Sequence, residues 1–205
     1  MSEHQSAPAT PLPPAPGADA HVGLELANSA VRVPRRGGTG HEVVELLPTP
    51  AAATGWLVAH GLAPRDARLQ QYCADRLTTL RGTVRELLAA AVDGRAPSPG
   101  AVEALNRALT RTPTVQLVAW NSSAGFHTEL THPTTQIVEH ALAAIAGDVV
   151  GLLTGPDAAL LAACGAEPCN RYMLRTHGRR HWCSTRCGDR VRAARSYARR
   201  TQVPA

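Results

Sequence analysis

Four of the five cysteines in this 205-residue chain fall within 24 residues near its carboxyl end: Cys164, Cys169, Cys183 and Cys187. The spacing is C-x4-C, thirteen residues, then C-x3-C. Two short knuckles of this kind supply two thiolates each, and the loop between them brings the pairs to the four corners that zinc prefers. Two disulfides are the competing use. They are disfavoured because no basic segment followed by an apolar run marks a secretory signal, and five cysteines are too few and too unevenly placed for a disulfide scaffold. A cytoplasmic protein with reduced thiols is the expectation. His177 and His181 lie in the connecting loop and could replace one cysteine as a ligand. Cys73, far upstream, falls on the apolar stripe of a predicted helix and reads as a small core residue.

Such a site is expected to be structural, holding one Zn2+. Four thiolates close the coordination sphere and make the metal a poor Lewis acid. The surrounding segment of about 40 residues has few large apolar side chains: Tyr172, Met173, Leu174, Trp182, Val191 and Tyr197. It is too small to fold on hydrophobic burial alone, and metal binding supplies on the order of 10 kcal/mol.

Charge divides the chain. All 21 basic residues are arginine. Ten of them lie between Cys164 and Ala205, against only Glu167 and Asp189, while the preceding residues carry 11 arginines and 14 acidic groups. An acidic body with a basic tail points to a polyanionic partner for the tail. After Cys187 the sequence predicts a helix with Arg192, Arg195 and Arg199 on one face and Val191, Ala194 and Ala198 packing on the metal core. Arg179, Arg180, Arg186 and Arg190 extend the positive surface.

The body predicts a mostly helical domain with a small antiparallel hairpin, an α+β fold. Residues 1–20 are Pro/Ala-rich and predict a disordered leader. Residues 22–33 fit a strand or a short helix, and 42–47 a strand. Thr49-Pro50 starts a helix that Gly61 closes. A long helix is predicted from Pro64 or Asp66 to Val92, with Leu69, Tyr72, Cys73, Leu77, Leu80, Val84, Leu87, Leu88 and Ala91 as its apolar stripe. Another helix starts at Ser98-Pro99. Residues 115–120 and 126–130 form a hairpin around a five-residue loop. Thr134 or Thr135 caps a helix running to Leu153, and a short helix follows to Ala163. No stretch approaches the apolar length of a membrane span. The expected domains are 21–155 and 156–200, with a flexible tail at 201–205.

The stretch CGAEPCNRYMLRTHGRRHWCSTRCGDRVRAARSYARR resembles the CGNR zinc-finger family, in which paired cysteines, an arginine-rich loop and a Trp-Cys-Ser step lead through Cys-Gly-Asn-Arg into a basic helix. The matching positions are Cys164, Cys169, Arg179, Arg180, Trp182, Cys183, Ser184, Cys187, Gly188 and Arg190. Asp189 stands where the family has Asn, and as a residue at the helix start it still caps well. Leu24-Glu25-Leu26-Ala27-Asn28-Ser29, the Thr-Pro helix start and the hairpin with Trp120 resemble the ABATE domain usually joined to this finger. The resemblance implies a transcription regulator that binds DNA through the finger and senses a small molecule or stress signal through the body.

DNA is therefore the expected partner, bound through Arg179, Arg180, Arg186, Arg190, Arg192, Arg195 and Arg199, with a homodimer as a further possibility and no membrane. The alternative is a zinc-stabilised module that contacts RNA or protein. No phosphate loop, HExxH or G-x-S-x-G motif points to an enzyme. Asn28, Trp56, Trp120 and His127 are the candidate lining of an effector pocket.

Overall fold

The computed structural model describes residues 13–35, 39–111, 115–131 and 136–201. Its first helix, α1 (Val22–Ala27), resolves the open choice at the start of the body. Leu24, Leu26 and Ala27 are fully buried, and a Cβ on Gly23 would collide with Val149, so α1 lies unusually close to the later helix α5 (Ile137–Thr154). Strands β1 (Ala30–Pro34) and β2 (His41–Glu45) pair antiparallel, Ala30 opposite Glu45. Thr49 caps α2 (Pro50–Ala59) by accepting from the Ala52 amide.

Helix α3 (Gln71–Asp93) begins later than the sequence predicts. Ala67 closes a turn on Pro64, and the Leu69 amide donates to Thr54 Oγ1 on α2, which holds the approach to α3 outside the helix. Gly94, in the left-handed region at φ 63°, ends it as expected. Its buried face is Ala74, Leu77, Leu80, Val84, Leu87, Leu88 and Ala90. Tyr72 points outward and Cys73 is only half-buried, because the later start leaves the first turn at the rim of the core, and Ala91 in the last turn is also exposed. Helix α4 (Pro99–Thr110) is capped by Ser98 and buries Ala101 and Leu105.

Strands β3 (Val115–Asn121) and β4 (Gly125–Thr131) form the predicted hairpin with a shorter loop, since Asn121 already pairs with Gly125. Asn121 Oδ1 accepts from the amides of Ser123 and Ala124, and Gly125 takes φ 66°. The expected caps Thr134 and Thr135 lie outside the described residues. By length and composition α5 is apolar enough to cross a membrane, contrary to the expectation that no stretch approaches this. Here it is a core helix: Ala141, Leu142, Ala143, Ile145, Ala146, Val149 and Leu152 are all buried. A 3-10 turn (Pro156–Leu160) stops short of the expected helix end, and the chain passes into β5 (Leu161–Ala163).

Strand β5 pairs with β6 (Tyr172–Leu174), and α6 (Thr185–Thr201) ends the described chain. Among the described residues the three sheets are two-stranded and antiparallel, so the architecture is α+β as expected. The main core joins α1, α2, α3, α4 and α5, and it takes in Tyr172 and Leu174 from β6.

Body and finger are thereby one packed unit. The Asn28 side chain, 4% exposed, donates to the Tyr172 carbonyl (2.9 Å) and accepts from the Tyr172 amide (2.8 Å), completing β6 as a further strand would. Arg85 donates to the carbonyls of Ala27 (2.6 Å) and Asn170 (2.8 Å) with its guanidinium over the Tyr172 ring. Asn170 in turn accepts from the Arg32 amide. The expected leader also ends early. Within residues 13–20, Ala15 and Ala18 are buried in a second cluster with the cysteines, and Pro16 O accepts from the Leu174 amide. Residues 1–12 lie outside the described residues.

His21, at the start of α1, ties it to α5 and to the 3-10 turn that follows: its ring nitrogens meet Asp148 on α5 (3.0 Å) and Asp157 in the turn (3.1 Å). Burial opposes the charged ring, but hydrogen bonds to Asp157 and Asp148 outweigh it and raise the pKa above the ordinary value. The stabilisation is thus full below about pH 6.5 and is lost as pH rises through the folded-state value. Thermal melts should show the wild-type protein losing more stability than His21→Gln as pH is raised from near 6 into the alkaline range. Asn28→Ala leaves the buried Tyr172 amide and carbonyl unpaired and should cost about 1–3 kcal/mol in denaturant unfolding.

Candidate metal centre and basic surface

The β5–β6 hairpin delivers the first knuckle and the start of α6 the second. Cys164 follows β5, Cys169 closes a turn on Ala166, and Cys183 and Cys187 flank the helix start. The four sulfurs all lie within 4.8 Å of one another. Cys169–Cys183 and Cys183–Cys187 are 3.8 and 3.7 Å apart, close to the ~3.8 Å edge of a tetrahedron with Zn–S bonds near 2.3 Å. Cys164, Cys183 and Cys187 are buried and Cys169 half-buried. The donor set is therefore soft, closed and complete, and it fits one structural zinc ion. His177 and His181 are exposed and stand outside the sulfur cluster, so neither replaces a cysteine.

Local sequence sets this geometry. Ser184 Oγ accepts from the Cys187 amide, capping α6 and fixing Cys187 in its first turn. Asp189 consequently sits inside the helix instead of at its start, and pairs with Arg192. The Cys183 amide donates to Cys164 Sγ. Gly188 leaves room for Trp182, whose Cε3 would lie 3.0 Å from a Cβ there. The half-buried Trp182 packs on the cysteine cluster and carries the Arg192 guanidinium over its ring.

Two arginines turn inward to the sulfurs. Arg171, 5% exposed, donates to Cys183 Sγ (3.8 Å) and to the Pro13 carbonyl (2.8 Å). Arg190 donates to Cys187 Sγ (3.7 Å) and to the carbonyls of Ala166 and Glu167. A tetrathiolate zinc centre carries two net negative charges, which these two guanidiniums balance. Arg190, expected on the nucleic-acid face, is thus bound into the knuckle. Arg171 escaped sequence reading, because nothing in its neighbourhood sets it apart from nine other arginines of the tail.

The thiols also perturb one another. Hydrogen bonds from Cys169 and Cys183 hold Cys164 down at about 6. Cys164, Cys169 and Cys183 together hold Cys187 below the ordinary thiol range, and Cys169 and Cys183 are pushed up in return. Protons in the cluster are shared, so a metal that displaces them binds more weakly in acid.

Beyond Val191, which packs on the cluster, α6 leaves the body. Ala194 and Ala198, expected to pack, are exposed. Arg179, Arg186, Arg192, Arg195 and Arg199 are also exposed, and Arg180 is half-buried. The four candidate effector residues do not converge. Asn28 is committed to Tyr172, and Trp56 stacks on His60 with ring centroids 4.2 Å apart. Trp120 and His127 belong to successive cross-strand pairs of the hairpin and so project from opposite faces.

A helical body locked to a closed four-sulfur module with a projecting arginine helix defines a two-part zinc-finger protein. Residues 20–156 match the family model ABATE, described as "Putative stress-induced transcription regulator", and residues 161–200 match the CGNR zinc finger. The chain belongs to the ABATE family, with a CGNR finger at its carboxyl end. No curated protein matches it.

Metal analysis of the reduced protein should give one zinc per chain, and Cys183→Ser should lose it to a competing chelator. Arg171→Leu removes a balancing charge beside the sulfurs. It should keep the metal near neutrality but release it at higher pH than wild type in an acid titration with a chromophoric zinc reporter.

Proposed function

We propose that the protein is a DNA-binding transcription regulator whose zinc centre fixes the root of α6 so that its arginines meet the duplex as a rigid row. One observation carries this reading: α6 stands clear of the body with Arg186, Arg192, Arg195 and Arg199 all exposed, and with Asp189 as its one acidic residue. Arg192, Arg195 and Arg199 recur at i, i+3 and i+7, one face of the helix. Arginine forks grip phosphates in two places at once and reach guanine edges in the major groove. Arg179 and Arg180, in the loop before Cys183, extend the same charge.

Binding is expected to weaken steeply with salt, because each neutralised phosphate releases condensed counterion. The double variant Arg195→Ala/Arg199→Ala should retain zinc and lower the slope of log affinity against log salt by about 2, with weaker binding at every salt concentration. An unchanged slope would exclude α6 from the interface.

One feature favours the alternative of a single-stranded RNA partner: Tyr197, 70% exposed on the same helix, offers a stacking platform. Readers of single strands usually present two or three such rings. Titrations of duplex DNA and of single-stranded RNA at matched salt separate the readings. Tyr197→Ala should leave duplex binding nearly unchanged, and a large loss confined to the single strand would favour RNA.

A further inference from the structure

Two adjoining hollows of about 520 and 240 Å3 share Arg76 and Arg111 and form one cleft across α3, α4 and the start of α5. Its larger end is walled by Tyr72, Ile137 and Val138 and carries Glu139. Arg76 and Glu139 form a two-pronged ion pair, with side chains 17% and 26% exposed. Arg111 approaches the same carboxylate only to 3.8 Å and is 55% exposed. Glu139 is therefore already satisfied by Arg76, and Arg111 supplies a guanidinium fork whose charge that carboxylate does not fully meet. Arg76 holds the Glu139 carboxyl below the usual range, so the acid stays ionised inside the cleft.

We propose that this cleft binds a small monocarboxylate with a flat apolar body, its carboxylate on Arg111 and its body against Tyr72, Ile137 and Val138. The chemistry selects this class. A guanidinium fork matches a planar carboxylate in two places. The ionised Glu139 repels a second negative charge and so disfavours phosphate dianions. The apolar walls reward a hydrocarbon body over a bare anion, and a cleft of this volume accommodates a ligand of one or two rings. Arg76 lies on the same helix as Arg85, which clamps the finger. Their separation of nine positions places them about 13 Å apart along α3.

The test uses the full zinc-loaded chain with naphthalene-2-carboxylate as probe, and with 2-naphthylmethanol and inorganic phosphate as its neutral and apolar-free controls. Calorimetry should show saturable binding of one carboxylate per chain, about tenfold or more tighter than either control and about tenfold or more weaker in Arg111→Met. Cys73, half-buried in the cleft wall, gives an independent readout: saturating probe should slow its alkylation by iodoacetamide several-fold, read by peptide mass. Absence of saturable binding, equal binding of the alcohol or phosphate, undiminished binding in Arg111→Met, or unprotected Cys73 each overturns the proposal. If Arg111→Met lost its zinc or its helical circular dichroism, wild-type Cys73 protection together with the probe's preference over its two controls decides. The proposal is independent of the DNA reading: a chain that bound the probe but no duplex would keep the first and lose the second.

Discussion

Four sulfurs within 4.8 Å of one another cannot stay buried as free charges, and everything at the carboxyl end of this protein follows from how they are neutralised. A divalent metal removes half of the charge. Arg171 and Arg190, each within hydrogen-bonding reach of a sulfur, remove the rest. The same arginines tie the knuckle to the Pro13, Ala166 and Glu167 carbonyls, so electrostatic balance and backbone positioning use the same side chains. With Cys187 in the first turn of α6 and Gly188 admitting Trp182, the helix leaves the centre in one fixed direction.

The finger is not an appendage on a flexible linker. The family matches meet between residues 156 and 161, yet the core crosses that boundary. Tyr172 and Leu174 sit among the apolar residues of α1, α3 and α5, Asn28 pairs with Tyr172 through both of its polar atoms, and Arg85 spans Ala27 and Asn170. Motion in the body would therefore reach the finger through packed contacts, with α3 as the element common to the clamp and the cleft.

What the sequence made legible was local. The clustering and spacing of the cysteines marked the metal site, since zinc chemistry constrains residue type and separation strongly, but only the folded geometry set His177 and His181 aside. Thr49, Ser98 and Gly94 marked helix ends because caps act within one turn. Contacts between distant segments left no such mark. Arg171 and Arg190 turn to the sulfurs while Arg195 and Arg199 face solvent, and the difference lies in which carbonyls the fold brings near. The expected helix packing of Ala194 and Ala198 failed because periodicity shows a face without showing whether anything lies opposite it. Asn28, read as a pocket residue, is instead a backbone mimic for β6, a role fixed by a partner 144 residues away.

The central claim is that metal, sulfurs and body together hold α6 in place, and hydrogen exchange with and without a zinc chelator tests it most directly. Removing the metal should abolish protection in the first turns of α6 and lower it in β6, while the middle of α3 and α5 stays protected. Unchanged exchange in β6 and α6 after complete zinc removal would contradict the account.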